Sequence, residues 1–363
     1  MKLFSRSSAV SALSLAAISA LVLSGCAAAP VETAEPTESA APTVDFLACA
    51  VSDEGSWNDK SFNEAVYDGL KRAESELGVQ IKAAESNSPD DFEPNLQVMV
   101  DAACDITFGV GFNLVAPINK VAAANPTVNF GAVDGWSEGN ANLKPIYYAM
   151  NQSSFLAGYL AAEYSTTKVI GTYGGAQIPS VTDFMSGYYY GAQQWAKDTG
   201  KSIKVLGWNP KTEKGDFTGN FAPNSPESKT ISLAQLNAKA DVIFPVGGDQ
   251  FSAVATAIEE VNPDAVMIGV DKDIALTNEA VAKYVLTSAE KRMANAVFDI
   301  ISELVAGGAF VGGDEGSYLG TLANGGTGLS PLYDFDSKIS QEVKDRLAEL
   351  EAGIIDGSIN PLG

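Results

Sequence analysis

VDFLACAV at 44–51, running into SDEGSWNDKSFN at 52–63, is the stretch on which the fold turns. The first part is a short apolar run, as expected of a strand buried on both faces. The second is a polar loop carrying two aromatics. Beyond it Phe62, Ala65, Val66, Leu70, Ala73 and Leu77 recur at helical spacing over 60–77, and Gly78 closes the pattern. Strand, polar loop and helix form one βα unit.

The unit repeats along the chain. Strands are predicted at 79–83, 106–110 and 128–133, with helices at 96–103 and 114–124, the latter ending before Pro126. A second series begins near Met150. It has helices at 155–164, 184–196, 231–240 and 253–261, and strands at 169–173, 203–206, 242–246 and 265–270. A connecting strand at 284–287 leads to a helix at 289–305. Residues 307–328, rich in Gly, read as a loop and a short strand returning to the second lobe. A final amphipathic helix covers 334–350, with Ile339, Val343, Leu347 and Leu350 on one face. This alternation implies an α/β fold: two doubly wound parallel-sheet lobes around a central cleft. The expected lobes are 44–150 with 286–320, and 151–285 with 321–363.

The first residues are an address. Lys2 and Arg6 precede an apolar run at 9–23 that ends Leu23-Ser24-Gly25-Cys26. The run is a secretory signal, too short to span a bilayer. Small residues closing on a Cys resemble a bacterial lipobox. Residues 1–25 are therefore expected to be removed and Cys26 to carry lipid. Residues 26–43, rich in Ala, Pro, Thr and Glu, are expected to be a flexible tether. The protein would then sit, lipid-anchored, on the extracytoplasmic face of a bacterial cell membrane.

Composition narrows the function. The 363 residues are 46% hydrophobic and 19% charged, with 23 Lys+Arg against 45 Asp+Glu, three Cys and no His. The length suits two domains with real cores. A net charge of −22 argues against nucleic acid. Without histidine there is no Ser-His-Asp, Cys-His or His-metal chemistry, and neither a metal nor another cofactor is expected. Cys49 falls in the first predicted strand and Cys104 at the start of the third. In a sheet ordered 2-1-3 they are neighbours, either as a disulfide or as two buried thiols.

Ligands of open α/β sheets lie outside the carboxyl ends of the strands. The candidate site residues follow from that rule. Asp53 can accept from ring N–H groups, and Asn63 can donate and accept. Phe62 and Trp57 offer stacking faces. The plainer reading makes Asp59 a helix cap, Phe62 core and Asn63 surface. Asp134 follows the strand at 128–133. Gly247 and Gly248 follow the strand at 242–246, either as close-approach backbone or as a tight turn. Asp271 ends the strand at 265–270, where a carboxylate can hold sugar hydroxyls. Lys291 lies near a chain crossing, where a solvated lysine would be the plainer reading.

At these positions the sequence resembles a known family. The order is DxxxxxDKSFNxxxxxG from Asp53, then GVGF at 109–112, VDG at 133–135 and ADVIF at 240–244 before the Gly pair. IGVD at 268–271 and VLTSxxKR at 285–292 complete it. The series resembles the basic membrane protein family of surface lipoproteins, which are similar to purine nucleoside receptors of ABC transporters. The resemblance implies a type I periplasmic-binding-protein fold and a purine nucleoside (adenosine, guanosine or inosine) between the lobes. It implies base contacts from Asp53, Asn63 and Asp134, and stacking on Phe62. The second stacking aromatic is expected to be Phe244, with Phe184 and Phe221 as rivals. Gly247 and Gly248 would face the ribose, with Asp271 and Lys291 binding it. Lys291 would neutralise the carboxylate of Asp271. Members often continue the Gly pair with small residues, where this chain has Asp249-Gln250-Phe251.

The reading is a monomeric substrate-binding protein that delivers a nucleoside to an ABC permease and is not an enzyme. Alternatives are a binding protein for a sugar or another small polar ligand, and a surface sensor or adhesin of the same fold. A secreted nucleoside hydrolase is disfavoured by the missing histidine.

Overall fold

The computed structural model describes residues 44–363. The signal, the tether and Cys26 lie outside them. In chain order come β1 (Leu47–Ser52), α1 (Phe62–Leu77), β2 (Gln80–Ala84), α2 (Phe92–Asp101), β3 (Ile106–Val110), α3 (Val115–Ala124), β4 (Asn129–Val133) and β5 (Leu143–Tyr148). Next are α4 (Met150–Tyr164), β6 (Val169–Gly174), α5 (Pro179–Thr199), β7 (Lys204–Leu206) and the paired β8 (Trp208–Asn209) and β9 (Lys214–Gly215). They are followed by α6 (Pro226–Asn237), β10 (Val242–Val246), α7 (Phe251–Val261), β11 (Val266–Asp271), α8 (Ile274–Thr277) and β12 (Val285–Lys291). The chain closes with α9 (Met293–Val305), β13 (Tyr318–Gly320), β14 (Thr327–Leu329) and α10 (Gln341–Ile355).

Two six-stranded sheets result, ordered β13-β5-β4-β3-β1-β2 and β14-β12-β11-β10-β6-β7. Every pairing within them is parallel except β12 with β14. β1 shows why. Ala48 and Ala50 face one hydrophobic cluster with Val66 and Leu70, while Cys49 and Val51 face another with Phe92 and Leu96. Helices cover both faces of the strand, so every position must be apolar or small. Gly78 ends α1 in the left-handed region at φ 73°, returning its N–H to the Glu74 carbonyl.

Cys49 and Cys104 are joined by a disulfide across β1 and the entry to β3, with Cα atoms 6.0 Å apart. Helices α4 and α5 pack backbone against backbone. A Cβ at Gly158 would lie 2.0 Å from the Tyr188 carbonyl oxygen, and one at Gly191 1.8 Å from that of Phe155. This seam sets the position of α5 and of the cleft residue Phe184 on it.

Several expectations need correction. The strand β5 is absent from the sequence reading. The return to the first lobe, expected at 286, comes only after Lys291, because β12 stays paired with β11 through Glu290. The helix expected to start at 289 therefore starts at Met293. Tyr318–Gly320, inside the bounds expected for the first lobe but in the stretch read as returning to the second, pairs with β5 in the first sheet. The final return is made by β14. The last helix begins at Gln341, after a 3-10 turn at Tyr333–Lys338. Among the described residues, no helix is long and apolar enough to cross a membrane.

Candidate functional site

A cavity of about 620 Å³ opens between the sheets, lined from both lobes by the segments that follow β1, β3, β4, β10 and β11. Its size suits a small organic ligand. A broader groove of about 910 Å³ lies on the second lobe, between α10's approach and the start of β11. Its buried acid, Asp241, is already engaged by Ser165, Thr166 and Thr167. The cleft is the better candidate because polar groups from both lobes converge there and one of them, the buried Oδ1 of Asn63, has no partner.

One end of the cleft is built by the loop after β1. Asp59 accepts from the N–H groups of Ser61, Asn63 and Glu64, so it caps α1. That cap fixes the first turn and points Phe62 and Asn63 at the cavity. Asn63 is 3% exposed. Its Nδ2 donates to Asp53 Oδ1 at 3.1 Å and to Asp59 Oδ2 at 3.3 Å. Flipping the amide would set its oxygen against two carboxylates, so Oδ1 must be the atom left over. That oxygen is buried and has no partner. Asp53 also accepts from Gly55 N. Burial pushes its carboxyl up to about 6, against the pull of Asn63 and Gly55. Its Oδ2 lies against Gly111, where a Cβ would approach to 2.5 Å.

The other end gathers charge from both lobes. Lys291, 3% exposed, reaches from β12 to Asp134 Oδ2, 2.5 Å away at the end of β4. Asp271, ending β11, accepts from Ser61 Oγ at 3.2 Å. Its carboxyl is raised to about 6 by burial, with Lys291 opposing and Asp134 and Asp59 adding to the rise. Asp134 and Asp271 have φ of 56° and 68°, a left-handed backbone that Asp tolerates better than most residues. Such strain at two strand ends facing one cavity is typical of binding sites.

Aromatic walls complete the cleft. Phe62 lines it from the first lobe and Phe184 and Phe221 from the second. The Lys291 ammonium lies 5.3 Å from the Phe62 ring and 5.1 Å from the Phe184 ring. Phe221 belongs to a flap at 216–225. The Gln250 amide donates to the Ala222 carbonyl, and Asn224 N to the Asp249 carbonyl. Gln250 is fully buried and Phe251 is core. The unusual Asp249-Gln250-Phe251 thus anchors the flap, and Asp249 joins Gly247 and Gly248 in lining the cavity.

Of the residues predicted from sequence, Asp53, Phe62, Asn63, Asp134, Phe184, Phe221, Gly247, Gly248, Asp271 and Lys291 all line the cleft. Two do not. Phe244 is fully buried beneath it, packed on Phe184 and Tyr188 with centroids 6.1 Å and 5.0 Å away. Its side chain sits on the face of β10 covered by α5. Trp57 turns away from the cavity, half-buried and stacked on Tyr67 at 5.5 Å, with its backbone N–H donating to Glu85. The expected partner of Lys291 changes as well. It bonds Asp134, assigned to the base, and not Asp271. Phe112, Asp59 and Asp249 were missed as cleft residues. Position after a strand was the available signal for Phe112 and Asp249.

The family described as ABC transporter substrate-binding protein PnrA-like (Bmp) matches residues 46–361. The ABC transporter nucleoside-binding protein BmpA of Lactococcus lactis is 31% identical over 367 aligned positions, covering 97% of each chain. Basic membrane protein D of Borreliella burgdorferi is 27% identical over 312, covering 82% of this chain and 85% of that one. A crystal structure of an ABC transporter solute-binding protein from Aeropyrum pernix superposes with a TM-score of 0.74 at 23% identity, covering 87% of this chain and 92% of that one.

Proposed function

This chain belongs to the PnrA-like (Bmp) family of ABC transporter substrate-binding proteins, and from that premise we propose that its ligand is a purine nucleoside, gripped between the lobes and handed to a permease. The observation that carries this reading is the buried, unpartnered Oδ1 of Asn63, beside Asp53 and between aromatic walls. An orphaned buried acceptor costs about 1–3 kcal/mol unless a ligand donates to it. A flat heterocycle with N–H groups at its edge does so while filling the space between Phe62 and Phe184. The Asp134–Lys291–Asp271 end then meets ribose hydroxyls, which can donate to a carboxylate and accept from an ammonium.

Charge supports a nucleoside over a nucleotide. Asp53, Glu54, Asp59, Asp134, Asp249 and Asp271 line the cleft against the single Lys291. A phosphate there would meet like charge at low dielectric. Binding and release need no bond-making chemistry, in keeping with a family of binding proteins and not enzymes. The lipobox ending at Cys26 supports a lipid-anchored protein on the outer side of the membrane.

A thermal-shift panel tests the reading. Guanosine, inosine and adenosine should raise Tm, while their 5′-monophosphates, ribose and glucose should not. Stabilisation by sugars alone would transfer the site to the alternative ligand class. Mass spectrometry of the mature N-terminus checks the anchor.

A further inference from the structure

One cluster of charge joins the lobes outside the cavity. Lys272 follows β11 in the second lobe. Its ammonium donates to Glu64 Oε1 at 2.9 Å and Asp68 Oδ2 at 2.7 Å, both on α1 of the first lobe. The side chains of Lys272 and Glu64 are 14% and 15% exposed, so water screens the contact weakly. Glu64 and Asp68 stand one helical turn apart, where two carboxylates repel unless a cation lies between them. Lys60 and Lys71 also reach them, but from side chains 41% and 48% exposed. Burial works against the two carboxylates, yet Lys272 holds both below their ordinary range.

The cluster is coupled to the cleft on both sides. Glu64 follows Phe62 and Asn63 on α1, and Lys272 follows Asp271. Alongside it, Thr277 Oγ1 donates to the Lys60 carbonyl and Ser61 Oγ to that of Val270. Separating α1 from the end of β11 breaks all of these contacts together. We propose that Lys272, with Glu64 and Asp68, is an inter-lobe clamp that biases the protein toward the closed arrangement and sets how slowly a bound ligand leaves. Lys272 is a positioning residue: it lies outside the cavity and acts through the relative placement of Asn63 and Asp271.

Two measurements on Lys272→Met and on the swapped pair Lys272→Glu/Asp68→Lys test it. Stopped-flow release of guanosine should be about tenfold faster in Lys272→Met, with association within about twofold, because a closed-state contact acts on dissociation. The swapped pair should recover much of the loss, and high salt should change the difference between the native and swapped proteins and Lys272→Met little, because the contact is largely buried. Small-angle scattering of each protein alone should give a larger radius of gyration for Lys272→Met than for the native and swapped chains. Unchanged release and identical scattering profiles in folded variants would overturn the clamp. The release arm rests on the nucleoside reading and the scattering arm does not. If the native chain binds no nucleoside, scattering alone decides, with identical profiles counting against the clamp.

Discussion

Asp53 and Asn63 concentrate the tension between stability and binding. Asp53 is buried with its carboxyl raised from 3.8 to about 6, so the folded protein holds its proton more tightly than the unfolded chain. Its contribution is therefore greatest below 3.8 and is lost as pH rises to about 6; Asp271 behaves alike. We expect Asp53→Asn to stabilise the unliganded protein at pH 7.5 by about 1–2 kcal/mol while weakening nucleoside binding at least about tenfold. Denaturant titration and calorimetry check both; a destabilised variant with native affinity would contradict the assignment. Because an ionised Asp53 accepts hydrogen bonds from ring N–H groups, guanosine should bind more weakly as pH falls through about 6. The two phenylalanines separate in the same way. Phe184→Ala should weaken the ligand and also cost stability, since Phe184 is 2% exposed in the same core cluster, whereas Phe244→Ala should cost about 3–5 kcal/mol of folding stability as a core cavity without removing a cavity wall. Position after a strand was legible in the sequence and found most of the site. Which face of β10 Phe244 occupies was not, since a strand buried on both faces lacks the alternation that would reveal it.

Among the elements, the least legible were those whose conformation is imposed by neighbours. Leu143–Tyr148 carries Lys144 and Pro145, which argue against an interior strand. It becomes one because β4 and β13 lie on either side of it. Ala289, Glu290 and Lys291 favour a helix by local propensity, yet they pair with β11 and β14, and that pairing delivers Lys291 to Asp134. The flap at 216–225 is a third case, because its anchor Gln250 is remote in sequence. Gln250→Ala should leave the fold intact but raise hydrogen exchange across 217–223 and weaken the ligand; unchanged exchange would contradict the anchoring role. The disulfide joining β1 to the entry of β3 closes a separation of 55 residues. Replacing both cysteines by Ala should remove about 4 kcal/mol of stability in the chain-entropy account, with affinity unchanged, since the bridge faces the α2–α3 layer away from the cleft.

At the scale of the molecule, the repeating βα unit was enough to yield two lobes and a cleft, because only a parallel sheet covered on both faces satisfies that pattern. The path between lobes was harder to read. It depends on β12, β13 and β14, short segments whose sheet is chosen by tertiary pairing. The absence of histidine and the acidity fit a protein that recognises a neutral ligand by hydrogen bonds and stacking and then releases it unchanged. The central claim is that this ligand is a purine nucleoside. Calorimetric titration of the purified chain with guanosine tests it most directly. One site per chain with micromolar or tighter affinity is expected, lost in Phe184→Ala and retained with Trp57→Ala. No heat of binding from guanosine, inosine or adenosine up to millimolar concentration would contradict it.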